Sequence, residues 1–152
     1  AGAGVLDIAA GFGIKTLLIG KSQFENSNEY IQVLKNEGIT HIVLAGFLWK
    51  IPENLVRAYN NKIVNIHPAL LPAFGGKGMY GDRVHQAVIN AGEKKSGITI
   101  HLVDEHYDNG KTLFQATVEV LSTDNPDTLA EKIHALEHAH YPKVITEWLK
   151  VK

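Results

Sequence analysis

Asn65 and His67 stand two positions apart in the run Lys62-Ile63-Val64-Asn65-Ile66-His67, which Pro68 cuts off, and Asp108 opens the triplet Asp108-Asn109-Gly110 farther along the chain. An amide, an imidazole and a carboxylate are the groups that an amine attacking an acyl carbonyl needs. The tetrahedral centre gains negative charge on oxygen, and the attacking nitrogen must shed a proton. An Asn amide and a protonated His aimed at the oxygen answer the first need, each such donor being worth about 3 to 4 kcal/mol at a preorganised site. A carboxylate beside the His answers the second: it raises the imidazole pKa, holds the ring's orientation and accepts or relays the proton. That chemistry requires no metal and no covalent intermediate.

Side chains two apart on a strand share a face, so Asn65 and His67 are expected to project together at a strand's carboxyl end. Open parallel sheets keep their ligands there. Taken singly, each residue has a plainer role. Asn65 can cap a strand before the turn at Pro68, His67 can be a hydrogen-bonded structural ring, and Asp-Asn-Gly is a common turn composition leading into Lys111-Thr112-Leu113.

The elements that would carry these residues follow from the apolar pattern. Short β-branched runs alternate with amphipathic stretches, which predicts an α/β fold with a mostly parallel sheet flanked by helices. Strands are expected over Gly13 to Ile19, Thr40 to Ala45, Ile63 to His67, Gly97 to Val103 and Thr112 to Leu121. Helices are expected over Val5 to Ala10, from Ser27 to Asn36 with a cap near Asn26, from Pro52, over Val84 to Asn90, and from Asn125-Pro126 to the end. The last helix should carry Leu129, Ile133, Leu136, Val144 and Trp148 inward, and Pro142 should kink or interrupt it.

With 152 residues, 45% hydrophobic and 20% charged, the chain has the material for one globular domain spanning 1–152. A net charge of -1 supplies no basic field, so a nucleic-acid partner is not expected. The absence of Cys removes disulfides and thiolate chemistry and fits a reducing compartment, here expected to be the cytoplasm. No apolar run reaches membrane-spanning length. Gly76, Gly78 and Gly81 spell a formal G-x-G-x-x-G, yet Pro72 precedes them where a dinucleotide site needs a strand, so the segment reads as an active-site flap in which Lys77 could meet a phosphate. His134 and His138 at i,i+4 beside Glu137 and His140 resemble a metal pair, but the H-E-x-x-H string is absent and no metal is expected.

Leu44-Ala45-Gly46-Phe47, Asn65-Ile66-His67-Pro68-Ala69-Leu70-Leu71-Pro72, Gly97-Ile98-Thr99-Ile100-His101, Asp108-Asn109-Gly110 and Glu137-His138-Ala139-His140-Tyr141-Pro142 occur in the order seen in phosphoribosylglycinamide formyltransferases, and from Val5 onward the chain resembles that family. The resemblance implies a Rossmann-like formyltransferase fold and transfer of a formyl group from 10-formyltetrahydrofolate, a co-substrate, to the amine of phosphoribosylglycinamide in purine biosynthesis. It implies Asn65, His67 and Asp108 as the catalytic set. It also implies Phe47, Leu48, Trp49, Lys50, Ile51, Pro68, Asp104, Glu105, His106 and Tyr107 around the folate, with Glu137 on the ribose-glycinamide substrate and His101 near the cleft. The family's opening strand and its glycine- and serine-rich phosphate turn have no counterpart in this sequence, so the formyltransferase domain is expected to be N-terminally incomplete. Small-molecule substrates and a monomer or homodimer complete the expectation. The alternatives are a hydrolase or methionyl-tRNA formyltransferase of the same fold, which the length and the Glu137 to Pro142 ending disfavour, a noncatalytic folate- or nucleotide-binding module, and a metal-dependent hydrolase built on the histidines.

Overall fold

Four strands form one sheet in the order β1-β2-β3-β4 in the computed structural model, which describes residues 4–26 and 28–150. The chain runs α1 (Gly4–Gly11), α2 (Lys21–Asn26), α3 (Glu29–Asn36), β1 (Ile42–Leu44), α4 (Glu53–Ala58), β2 (Ile63–His67), α5 (Asp82–Asn90), β3 (Lys95–Leu102), β4 (Thr112–Glu119) and α6 (Pro126–Lys150). The α/β class holds, and the sheet is mixed. β1 and β2 pair parallel, whereas β2 with β3 and β3 with β4 pair antiparallel. Antiparallel β3 lays its last residues beside the first ones of β2, with Val64 opposite Leu102, Asn65 opposite His101 and His67 opposite Thr99.

Alternation along β2 divides the interior in two. Ile63 packs on one face with Leu44, Ile51, Leu55, Val56 and Tyr59 from β1, α4 and the loop between them, and with Phe24, Tyr30 and Ile31 from α2 and α3. Val64 packs on the other face with Val88 of α5, Ile98 and Ile100 of β3, and Leu129 and Ile133 of α6. Val64, Ile98, Ile100, Leu129 and Ile133 are essentially sealed from solvent, and each such aliphatic side chain contributes roughly 1.5 to 3 kcal/mol by burial.

α6 starts where the sequence places it. Asn125 Oδ1 accepts the Thr128 N–H at 2.9 Å and Thr128 Oγ1 accepts the Asn125 N–H at 3.0 Å, a reciprocal cap ahead of Pro126 at the first helical position. Leu129 and Ile133 are buried, while Leu136, Val144 and Trp148 pack partly buried against the same cluster. The helix nevertheless continues through Pro142 without interruption to Lys150. The Pro142 carbonyl accepts the Thr146 hydroxyl at 2.8 Å.

Two other expectations change. Gly13 to Ile19 is not a strand: no described segment pairs with it, and Ile14, Leu17 and Leu18 are 61%, 51% and 78% exposed, so the β-branched run has neither a ladder nor a face to bury. The helix expected from Ser27 is described from Glu29 with Asn28 as N-cap, and the preceding residues form the separate α2. Ser27 and the side chain of Asn26, the expected cap, lie outside the described residues.

Candidate active site

Cross-strand pairing assembles the centre of the site. Asn65 and His67 alternate on β2, Thr99 and His101 alternate on β3, and the register sets Asn65 beside His101 and His67 beside Thr99 on one face. Asp108 reaches this square from the β3–β4 loop, held in the left-handed region at φ 52°, a conformation that Asp tolerates better than most residues. Its two carboxylate oxygens divide between the histidines. Oδ2 lies 3.7 Å from His67 Nδ1 and Oδ1 lies 3.7 Å from His101 Nε2.

Backbone groups decide the tautomers. His67 Nε2 donates to the Phe74 carbonyl at 2.8 Å, which leaves Nδ1 as the nitrogen turned toward Asp108. His101 Nδ1 donates to the Leu102 carbonyl at 2.9 Å, so its Nε2 accepts, and the partner at 3.3 Å must be the NH₂ of Asn65. The amide orientation of Asn65 therefore follows from the backbone of β3. One of its two amide hydrogens serves His101, and the other remains for the cleft.

The turn Phe74-Gly75-Gly76 grips both members of the acid-base pair. The Phe74 carbonyl, set by a residue at φ 56°, takes His67, and the Gly76 N–H donates to Asp108 Oδ2 at 2.9 Å. Gly75 lies so close that a Cβ there would fall 3.3 Å from Asp108 Cβ and 2.5 Å from Leu71 Cδ2. Thr99, fully buried, anchors the start of the same loop: its hydroxyl donates to the Ala69 carbonyl at 2.7 Å and accepts from the Leu71 N–H at 2.9 Å and Gln115 Nε2 at 2.8 Å.

Electrostatics differ from the expectation in one respect. The Asp108 charge and the Phe74 carbonyl both favour the imidazolium of His67, but burial of the ring outweighs them, with His101 adding to it, and the pKa is held below 6.5. His67 is thus set up to be neutral at rest rather than protonated in advance. Burial likewise pushes the Glu137 carboxyl above its ordinary 4.5, against the opposing pull of His134 and His138.

A cleft of about 630 Å³ opens over these groups. Asn65, His67, Asp108 and Pro68 line it, as do Phe47, Leu48, Trp49, Lys50, Ile51, Asp104, His106, Tyr107 and Glu137 among the residues singled out from sequence. Glu105 does not. Its carboxylate accepts from Arg57 Nε at 3.1 Å and faces a neighbouring shallow depression. Phe47 and Trp49 form one wall, stacked edge-on at 5.7 Å and backed by Phe24, and Ile51 is buried beneath them. The flap contributes Gly76 to Gly81, where Arg83 sits over the Tyr80 ring at 5.0 Å. Among the described residues no three His, Cys, Asp or Glu side chains converge as metal ligands, and no helix is long and apolar enough to cross a membrane.

A family model described as formyl transferase matches residues 2–145. The chain belongs to the formyl transferase family. It is 44% identical over 147 residues to the chloroplastic phosphoribosylglycinamide formyltransferase of Arabidopsis thaliana, covering 93% of this chain and 50% of that relative, so it spans about half the plant protein's length. With the phosphoribosylglycinamide formyltransferase of Bacillus subtilis the identity is 39%, covering 95% of this chain and 74% of the other. A crystal structure of the Bacillus halodurans phosphoribosylglycinamide formyltransferase superposes with a TM-score of 0.88 at 35% identity, over 99% of this chain and 77% of that one. A formyltetrahydrofolate deformylase from Pseudomonas syringae, 21% identical with a TM-score of 0.80, shares the fold.

Sequence reasoning missed several groups that hold His67, Asp108 and their loop in place. The Phe74-Gly75-Gly76 turn acts through main-chain groups that leave no side-chain signature, and Thr99 acts through its hydroxyl on the main chain of the same loop. Alternation of Thr99 and His101 with Ile98, Ile100 and Leu102 on β3 was the available signal, because most polar side chains on a buried strand have partners.

Proposed function

We propose that this formyl transferase moves a formyl group from 10-formyltetrahydrofolate to the primary amine of phosphoribosylglycinamide, as one domain, with Asn65, His67 and Asp108 as its catalytic residues. The observation that carries the reading is the junction of Asp108 with His67 and, through His101, with Asn65 at the floor of a cleft whose walls suit a flat heteroaromatic donor.

The steps follow from the hydrogen-bond roles. The amine nitrogen attacks the formyl carbon, and the carbonyl oxygen takes up negative charge against the free amide hydrogen of Asn65. The nitrogen, now carrying an extra proton, releases it to Asp108 or to His67 Nδ1 beside it. A proton on His67 creates an imidazolium next to the oxyanion at the moment the charge needs it, in a site dry enough for the attraction to be strong. Collapse breaks the bond from carbon to N10 of the folate, N10 recovers the proton, and tetrahydrofolate leaves with the formylated amine in place. Phe47 to Ile51 and the Asp104 to Tyr107 loop flank the donor, and Glu137 receives the ribose-glycinamide part. With its carboxyl raised by burial, Glu137 gains from a hydroxyl donor.

Turnover with both substrates, followed by release of tetrahydrofolate, tests the proposal. Release of free formate without need of the amine would make the chain a hydrolase instead.

A further inference from the structure

Tyr141 of α6 is 8% exposed, and its hydroxyl donates to the Leu44 carbonyl at 2.7 Å with the Val64 carbonyl 3.4 Å away. Leu44 closes β1, and from it the chain leaves directly into the Phe47 to Ile51 wall. Val64 immediately precedes Asn65, which is itself the register partner of Leu44. One turn earlier on α6, Glu137 lies on the same side as Tyr141 and adds its charge to the burial that pushes the phenol above its usual range. A single un-ionised hydroxyl thereby ties together the helix bearing Glu137, the root of the aromatic wall and the strand bearing Asn65.

We propose that Tyr141 is a positioning residue that sets the spacing between the aromatic wall and the oxyanion-binding amide, and so governs how the formyl carbon is presented. The inference rests on the formyl-transfer reading. Without the hydroxyl, the Leu44 carbonyl at the end of β1 and the Val64 carbonyl within β2 lose their common donor and the wall is free to drift from Asn65.

The experiment compares Tyr141→Phe with Tyr59→Phe. Tyr59 is also buried and its hydroxyl also donates to a carbonyl, that of Ile39 at 3.1 Å, but it lies outside the cleft. Both variants are expected to lose similar thermal stability, on the order of 2 to 4 °C for one hydrogen bond. Only Tyr141→Phe should lower kcat, by about fivefold or more, with a raised KM for 10-formyltetrahydrofolate. A second measurement is independent of turnover. The chain has two tryptophans, so in a Trp148→Phe background Trp49 alone reports on the wall, and acrylamide quenching should rise in Tyr141→Phe and not in Tyr59→Phe. Equal kinetic losses in both variants, or unchanged Trp49 quenching in Tyr141→Phe, would overturn the inference. Failure of the formyl-transfer reading would show separately, as a parent protein that does not formylate the amine.

Discussion

Replacing Gly75 with Ala separates catalytic geometry from folding. The added methyl group would sit 2.5 Å from Leu71 Cδ2 and 3.3 Å from Asp108 Cβ, against the 3.5 to 4.0 Å at which carbon atoms rest. The Leu71 methyl is the far end of a flexible side chain and can rotate away. Asp108 cannot yield so freely: the Gly76 N–H holds its Oδ2, and its φ of 52° is already an uncommon one. The carboxylate must therefore retreat by a few tenths of an ångström from His67 and His101. Overpacking of this kind costs about 1 kcal/mol at the low end, a fall in Tm of about 2 to 4 °C for a chain of this size. Misplacement by about 1 Å can cost 10²-fold in rate, so a shift of a few tenths predicts a drop in kcat of about tenfold. Steady-state kinetics with saturating substrates, alongside a thermal melt, reads both quantities. Gly97→Ala supplies the contrast, because its Cβ would strike the Ala116 carbonyl on the paired strand, and it should lose stability first. A Gly75→Ala protein with kcat within twofold of the parent would refute the assignment of Asp108 to proton transfer, or the claim that this turn sets its position.

Asp108→Asn keeps the shape but removes the charge and the proton acceptor, and kcat should fall by about 10²-fold or more with only a small change in the urea midpoint. Thr99→Val leaves the Leu71 N–H, the Ala69 carbonyl and the Gln115 amide without their shared partner, costing about 3 kcal/mol in denaturant unfolding and loosening the loop that leads to Phe74. Acid should weaken the fold ahead of any carboxylate effect. Burial holds the pKa values of His67 and His85 below 6.5, with His134 adding to it for His85. The folded protein thus has its full stability above 6.5, and loses it as pH drops from there toward the lowered folded values, because the unfolded chain takes up protons that the folded one resists. Urea midpoints should decline as the pH falls below 6.5, and His85→Asn should flatten part of that slope. Glu137, its carboxyl raised by burial, acts in the opposite sense, adding stability that is lost as pH rises.

The central strands and the closing helix were legible because their determinants are local. Pro68 ends β2, the Asn125-Pro126-Asp127-Thr128 string is a cap by itself, and Leu129 with Ile133 marks a buried stripe. The direction of β3 was not legible. A run such as Gly97 to Val103 reads the same either way, and only the tertiary register reveals that it lies antiparallel to β2 with His101 beside Asn65. Gly13 to Ile19 shows the converse, a run with every local preference for a strand but no described neighbour to complete it. At the site, residue types offered Asn65, His67 and Asp108 as candidates, and the resemblance implied them as a set. The protonated His67 foreseen from sequence gives way to a neutral resting ring, because burial outweighs a charge 3.7 Å away, a balance of two opposing magnitudes that spacing along a chain does not encode. Glu105 turned away for a similarly non-local reason, the guanidinium of Arg57 on α4.

The grip of Phe74 and Gly76 on His67 and Asp108 is made entirely by main-chain atoms. The wiring itself therefore places no demand on the chemistry of the side chains along that turn, provided nothing larger than hydrogen occupies position 75. A site wired in this way can change what its flap presents to the cleft without altering the hydrogen bonds that hold His67 and Asp108.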